Sequence, residues 1–222
     1  MNKEIHGELK KEFQLERMIL FSDAVFAIAI TLLVIEMKIP EIPGEVISEK
    51  ALANSLSHLI PKFIGFLISF MIIGLYWTVH HRLFGYVINY NQRLLWLNLL
   101  FLMAVALMPF STAFYSEYVF MLLKSPVIIY ASNICFLGIM NFVLWKYVSK
   151  PERKLTEGLS QPVARYFSLR AIAIPMIFFT MAITYLFIPR FAIIIPMLIP
   201  VVMKIIFNPM KKKLILAKEI KL

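Results

Sequence analysis

One cysteine, seven glycines and thirteen acidic residues are all that these 222 positions supply of those types. The lone Cys135 excludes an intrachain disulfide, and no Cys-x-x-Cys or Cys/His metal spacing occurs. Glu-Glu-x-x-x-Arg, His-Glu-x-x-His and Gly-x-Ser-x-Gly arrangements are absent too, which argues against a membrane protease or a lipid-modifying enzyme; no enzymatic activity and no cofactor is expected. Charged residues make up 16% of the chain, where soluble domains carry about a quarter. What replaces them is apolar: 60% hydrophobic residues, nineteen Phe and thirteen Met, with a mean hydropathy of +0.79. That composition describes an integral membrane protein.

A spanning helix needs about 20 apolar residues. Six segments meet or approach this length: Arg17–Met37, Leu52–Val79, Leu94–Tyr115, Ser125–Tyr147, Phe167–Ile188 and Phe191–Phe207. Pro189-Arg190 forms a tight turn between the last two, because the combined run is far too long for one crossing. The polar N-terminus, Met1 to Glu16, mixes Lys with Glu and does not read as a cleavable signal peptide. The expected fold is therefore all-α and polytopic, with an N-terminal arm (1–16), a six-helix membrane body (17–207) and a basic tail (208–222).

Placing both termini in the cytoplasm puts eighteen of the 23 Lys/Arg inside: on the arm, at Arg82 and Arg93, around the fourth-to-fifth connection (Arg170 included), and on the tail. Five lie outside, beside the acidic Pro40–Lys50 loop. This asymmetry follows the positive-inside rule and predicts a multi-pass protein of the cell membrane. The net charge of +10 is then accounted for by topology and anionic lipid, with no need for nucleic acid.

Polar residues inside the apolar segments are the chemically informative ones. Ser22 and Asp23 lie in the first, a turn and a half after Arg17; Tyr76, Trp77, His80 and His81 close the second; Trp96 and Asn98 open the third. An unpaired charge at bilayer depth costs roughly 3 kcal/mol on insertion scales, so Asp23 is expected to face protein or water and to have a partner. One shared hydrogen-bonded cluster would satisfy all of these groups. Its role is either to lock helices together or to gate. His80-His81 is a poor metal site, since adjacent helical residues face different ways. The aromatic residues Tyr76, Trp77, Trp96 and Tyr147 read as interfacial anchors.

At ~100° per residue, Ala24, Ile28, Thr31, Leu32 and Ile35 share one stripe of the first segment, with Ser22 and Asp23 pointing away from it. Such a stripe suits ordinary helix packing or close association about a symmetry axis. The chain has no TVGYG and no Gly-rich stretch. Any ion path must therefore be constricted by side chains rather than backbone carbonyls.

Arg17-x-x-x-Phe21-Ser22-Asp23, followed by Ala24-Val-Phe-Ala-Ile-Ala-Ile-Thr-Leu-Leu-Val-Ile-Glu36, resembles the endosomal/lysosomal potassium channel family and its prokaryotic members. Trp77-x-x-His80, Leu97-Asn98 and Pro109-Phe110 match the same pattern. The resemblance covers the first three spans by motif and the last three by hydropathy. It implies a potassium-permeable cation channel that assembles, as a single-repeat member, into a homotetramer. It implies further that the first helix lines the pore, with a hydrophobic constriction at Ile28, Leu32 and Ile35. A polar layer at Thr31 would set potassium preference, with a potassium ion held near it. Arg17, Phe21, Ser22, Asp23, Trp77, His80 and Asn98 would form the network that holds the pore helix to its neighbours. The competing function is a proton-coupled transporter or exchanger that relays protons through Asp23 and His80.

Overall fold

The computed structural model of the protein describes residues 2–39, 48–57 and 59–217. The central part of the expected outer loop, and Lys218 and Lys221 of the tail, lie outside these residues. Among those described, the fold is all-helical, with six stretches long and apolar enough to cross a membrane. The first, α1, runs unbroken from Asn2 to Ile35, so residues 2–16 prolong the first span as helix.

Proline punctuates the rest. A short helix α2 (Glu49–Ser57) precedes α3 (Ile60–Phe84), which has Pro61 in its first turn, where the missing N–H loses nothing. The second span therefore starts later than expected and extends past Val79, which places His80, His81 and Arg82 on regular helix. Asn91 then caps α4 (Gln92–Ala106), its Oδ1 accepting from the Leu94 N–H at 2.9 Å. The third span breaks at Leu107, because Pro109 opens a new helix, α5 (Met108–Tyr118). Next come α6 (Lys124–Val148) and α7 (Gln161–Phe187). The sixth span is a chain of short pieces, α8 (Pro189–Ala192) and α9 (Ile199–Val202), joined by a 3₁₀ turn, and a π turn leads from it into α10 (Asn208–Leu216), the helix of the expected tail. Pro196 and Pro200 prevent a regular helix there.

α6 and α7 form the most extensive helix pair. Their close approach depends on Gly138, where an added Cβ would lie 1.9 Å from Cγ of Pro175 and 2.7 Å from the Tyr76 hydroxyl. The core runs through Phe26, Ile73, Phe101, Trp145, Phe167 and Phe178, all essentially inaccessible. α1 packs on α3, α4 and α5 on one side of the bundle, whereas the sixth span packs on α7 at the other. The α3–α4 and α6–α7 connections are tied together at one end: Ile88 N–H donates to Leu155 O at 2.9 Å, and Glu157 N–H donates to Tyr86 O at 2.9 Å. Gln14 of α1 accepts a hydrogen bond from Tyr90 at this same end.

Two expectations need correction here. Tyr76 and Tyr147 are buried rather than interfacial, because α3 and α6 turn them toward neighbouring helices. Arg170 lies inside α7, beside Tyr76 and Asn141 around a small cavity, and not in the connection that precedes that helix.

Candidate functional site

α1 has two unlike faces. Leu15, Met18, Ser22, Phe26, Ala29 and Leu33 recur at intervals of three and four and are buried against α3, α4 and α5. On the far side, Ala24, Ile28, Thr31, Leu32 and Ile35 are exposed, with Ile28 at 58% and Ile35 at 66%. Phe26, two residues before Ile28, is 1% exposed. The rest of the chain leaves this branched apolar stripe uncovered.

Ser22 anchors the buried face. Its hydroxyl donates to the Met18 carbonyl at 2.8 Å and accepts from Asn98 Nδ2 at 2.9 Å. That assigns the Asn98 oxygen to His80, whose Nε2 lies 2.8 Å away. His80 must then carry its proton on Nε2 and donate it to Asn98 Oδ1. Proton donation thus runs in one direction from α3 through α4 to α1, and each of these three polar side chains is at most 1% exposed. Around it, the His80 ring is stacked 5.3 Å from Phe101 and lies 4.4 Å from Phe84 and 5.6 Å from Phe26. The imidazole is boxed by aromatics with a single polar outlet.

Asp23 belongs to a separate contact. It accepts from the indole N–H of Trp77 at 2.9 Å, in a part of the surface that is open in the single chain. His81 stacks on Trp77 with ring centroids 5.7 Å apart, which braces the indole that holds Asp23. Arg17 is exposed and lies 6.0 Å above the Phe13 ring, and Phe21 is 53% exposed on the same side. The structure thus joins Ser22, Asn98 and His80, pairs Asp23 with Trp77, and leaves Arg17 and Phe21 outside both contacts. The bracing role of His81 has no counterpart in the sequence reading, and its spacing of four from Trp77 was the available signal.

A second polar seam, also unforeseen, lies toward the other end of the bundle. Thr112 donates to Ser69 at 2.8 Å, the Ser69 and Tyr130 hydroxyls are 2.8 Å apart, and Asn133 donates to Ser111 at 3.0 Å. It joins α3, α5 and α6, and Thr112 also lines a pocket with Glu36, Lys38, Lys62 and Glu117.

Thr31 faces the exposed side with a particular chemistry. Its hydroxyl proton is directed to its own helix, toward Ile28 O at 2.9 Å and Ala27 O at 3.1 Å. What it presents outward is oxygen lone pairs, which suit a cation or the oxygen-bound proton of water. Among the described residues no group of three or more His, Cys, Asp or Glu converges as a metal site.

A model of the family described as "Endosomal/lysosomal potassium channel TMEM175" matches residues 17–109. A protein of Streptomyces collinus named as a potassium channel is 34% identical over 152 residues, covering 68% of this chain and 72% of that one. A potassium channel of Chamaesiphon minutus is 35% identical over 151 residues, covering 68% and 73%. A chicken protein named endosomal/lysosomal proton channel TMEM175 is 31% identical, with 71% of this chain and 32% of that one covered. Among solved structures, the crystal structure of a TMEM175 homologue from Chamaesiphon minutus, titled a lysosomal potassium-selective channel homologue, superposes with a TM-score of 0.73 at 26% identity, covering 88% of this chain and 98% of that one.

Proposed function

Because the chain belongs to the TMEM175 family of ion channels, we propose that it is a potassium-permeable cation channel of the cell membrane whose pore is made by α1 from four copies. The observation that carries this reading is the division of α1 into a packed face and an uncovered one. A spanning helix whose branched apolar stripe is left largely uncovered by its own chain either faces lipid or meets copies of itself. The one hydroxyl on the stripe, Thr31, favours the second, since oxygen aimed at lipid gains nothing.

In this arrangement Ile28, Leu32 and Ile35 stack as rings over about 10 Å of helix rise. Such rings cannot replace an ion's hydration shell and hold back conduction by dewetting. Selectivity then rests on pore width and on the Thr31 oxygens, where a potassium ion binds. The Ser22–Asn98–His80 chain and the Asp23–Trp77 bond hold α1 at fixed rotation, so that this stripe and no other meets the axis. Residues 17–207 form the conducting body, and the arm (1–16) and tail (208–222) lie in the cytoplasm.

The test is reconstitution of the protein in liposomes with opposed potassium and sodium gradients. Potassium flux that rises in Ile28→Asn, with reduced preference over sodium, is the expected result. An Ile28→Asn protein that assembles normally with unchanged flux and ion preference overturns the assignment of α1. Proton flux is measured in the same vesicles, because the vertebrate relatives are named proton channels. Saturable flux of one ion coupled to the gradient of another would instead support the exchanger through Asp23 and His80.

A further inference from the structure

A wide groove opens between the end of α6, the start of α7 and α10, with a volume of about 860 Å³. Known small-molecule pockets span ~300–1,000 Å³, so this groove has the room of a ligand site. Three cations line it, one from each wall: Lys146, Arg165 and Lys213. Among the described residues, none of those lining it is acidic. The ion pair found among the described residues, Lys62–Glu117, lies elsewhere. Like charges gathered in one groove repel one another unless an anion neutralises them.

Beside the cations the lining mixes polar groups, Ser149, Gln161, Tyr166 and Ser168, with an apolar part that includes Phe142, Leu169 and Leu214. The groove lies at the junction of spanning and non-spanning helix: Lys146 is in the last turn of α6 and Arg165 is four residues into α7. That is the level of lipid headgroups for any helix of this length. It also faces outward, since α1 packs on α3, α4 and α5 while α10 packs on α7. A ring of subunits built around α1 leaves this side to the bilayer.

We infer that this groove binds the headgroup of an anionic phospholipid, with the phosphate between Lys146, Arg165 and Lys213 and an acyl chain over Phe142, Leu169 and Leu214. Basic pockets between membrane helices recognise lipid headgroups in this way. A soluble phosphate would satisfy the same cations but has no use for the apolar rim. That this side meets lipid rests on the α1-centred assembly proposed above, whereas lipid binding itself is read whether or not α1 conducts.

The full-length protein in detergent is titrated with dioleoyl phosphatidylglycerol and with dioleoyl phosphatidylcholine, and bound lipid is counted by native mass spectrometry. Phosphatidylglycerol should bind preferentially, and Lys146→Gln/Arg165→Gln/Lys213→Gln should lower its affinity roughly a hundredfold while leaving phosphatidylcholine unchanged. Lys213→Gln alone, on the exposed tail helix, should lose about fivefold, which keeps the test decisive where the triple variant does not fold. Lys3→Gln/Lys10→Gln/Lys11→Gln, on the N-terminal arm, removes as many charges elsewhere and should retain the preference. Equal binding of the two lipids, or a preference unaffected by the groove variants, overturns the inference. So does displacement of phosphatidylglycerol by inorganic phosphate beyond what chloride achieves at the same ionic strength. Potassium flux in the same variants is a separate readout, so failure here is distinguishable from failure of the pore assignment.

Discussion

Replacing Asn98 by Ala is the sharpest test of how α1 is held. The change removes the acceptor of the His80 Nε2–H and the donor to Ser22 Oγ, two bonds of 2.8 and 2.9 Å in a place water does not reach. Hydrogen bonds between membrane helices average about 0.6 kcal/mol and reach about 1.7. Losing two gives roughly 1–3 kcal/mol. Leaving the imidazole N–H without a partner in its aromatic box adds to the upper part of that range, since a buried unsatisfied donor costs about 1–3 kcal/mol. Ser22→Ala should cost less, because Met18 O keeps its partner within α1 and the His80 N–H keeps Asn98.

The assay is a double-mutant cycle on the purified protein, with unfolding followed by far-ultraviolet circular dichroism in mixed micelles. The Ser22→Ala and Asn98→Ala effects should be non-additive by about 0.5–1.5 kcal/mol, as expected for groups in contact. His80→Phe combined with Asn98→Leu should be less harmful than Asn98→Ala alone, because both members of the polar pair leave together and the box is already aromatic. Strict additivity of Ser22→Ala and Asn98→Ala, or an Asn98→Ala protein as stable as wild type, would refute the anchoring chain. Stability lost with ion preference intact would assign it to holding the helix.

Thr31→Val keeps the volume and removes the outward oxygen; bi-ionic reversal potentials should shift toward equal potassium and sodium permeability while total current changes less. Asp23→Ala should reduce the yield of assembled protein on size exclusion more than it alters selectivity, because Asp23 bonds Trp77 and points off the stripe; normal assembly with lost potassium preference would contradict this. Gly138→Ala should destabilise the protein by about 1–3 kcal/mol in the same unfolding assay, since its methyl would overlap Pro175 and the Tyr76 hydroxyl. On a Cys135→Ser background, Ala217→Cys in right-side-out vesicles should react with an impermeant maleimide only after the membrane is opened; labelling of sealed vesicles would reverse the cytoplasmic assignment of the termini.

The six spans were legible from apolar length alone, because a bilayer admits only helices or closed barrels and fixes how long a helix must be. The stripe on α1 was legible as part of a wider exposed side, since helical period is a local property; those five residues are exposed together with Leu20, Phe21, Ala27 and Val34. Proline positions announced where spans would break, yet the break of the third span at Leu107 and the fragmentation of the sixth depended on how each freed carbonyl was accommodated by neighbouring turns. The sequence could name Ser22, Asp23, Trp77, His80 and Asn98 as polar groups in need of partners, and it grouped them into one cluster. Sorting them into a directional chain and a separate Asp23–Trp77 bond required the rotation of α3 and α4 about their own axes. That rotation is decided by packing of Phe26 of α1 and Phe101 of α4 around the imidazole of α3, contacts between residues far apart in the chain. Lys146, Arg165 and Lys213 likewise read in sequence as three counts toward topology. Only the folding of α10 back against α7 brings them to one groove, because charge is a property of each residue whereas convergence is a property of the path between them.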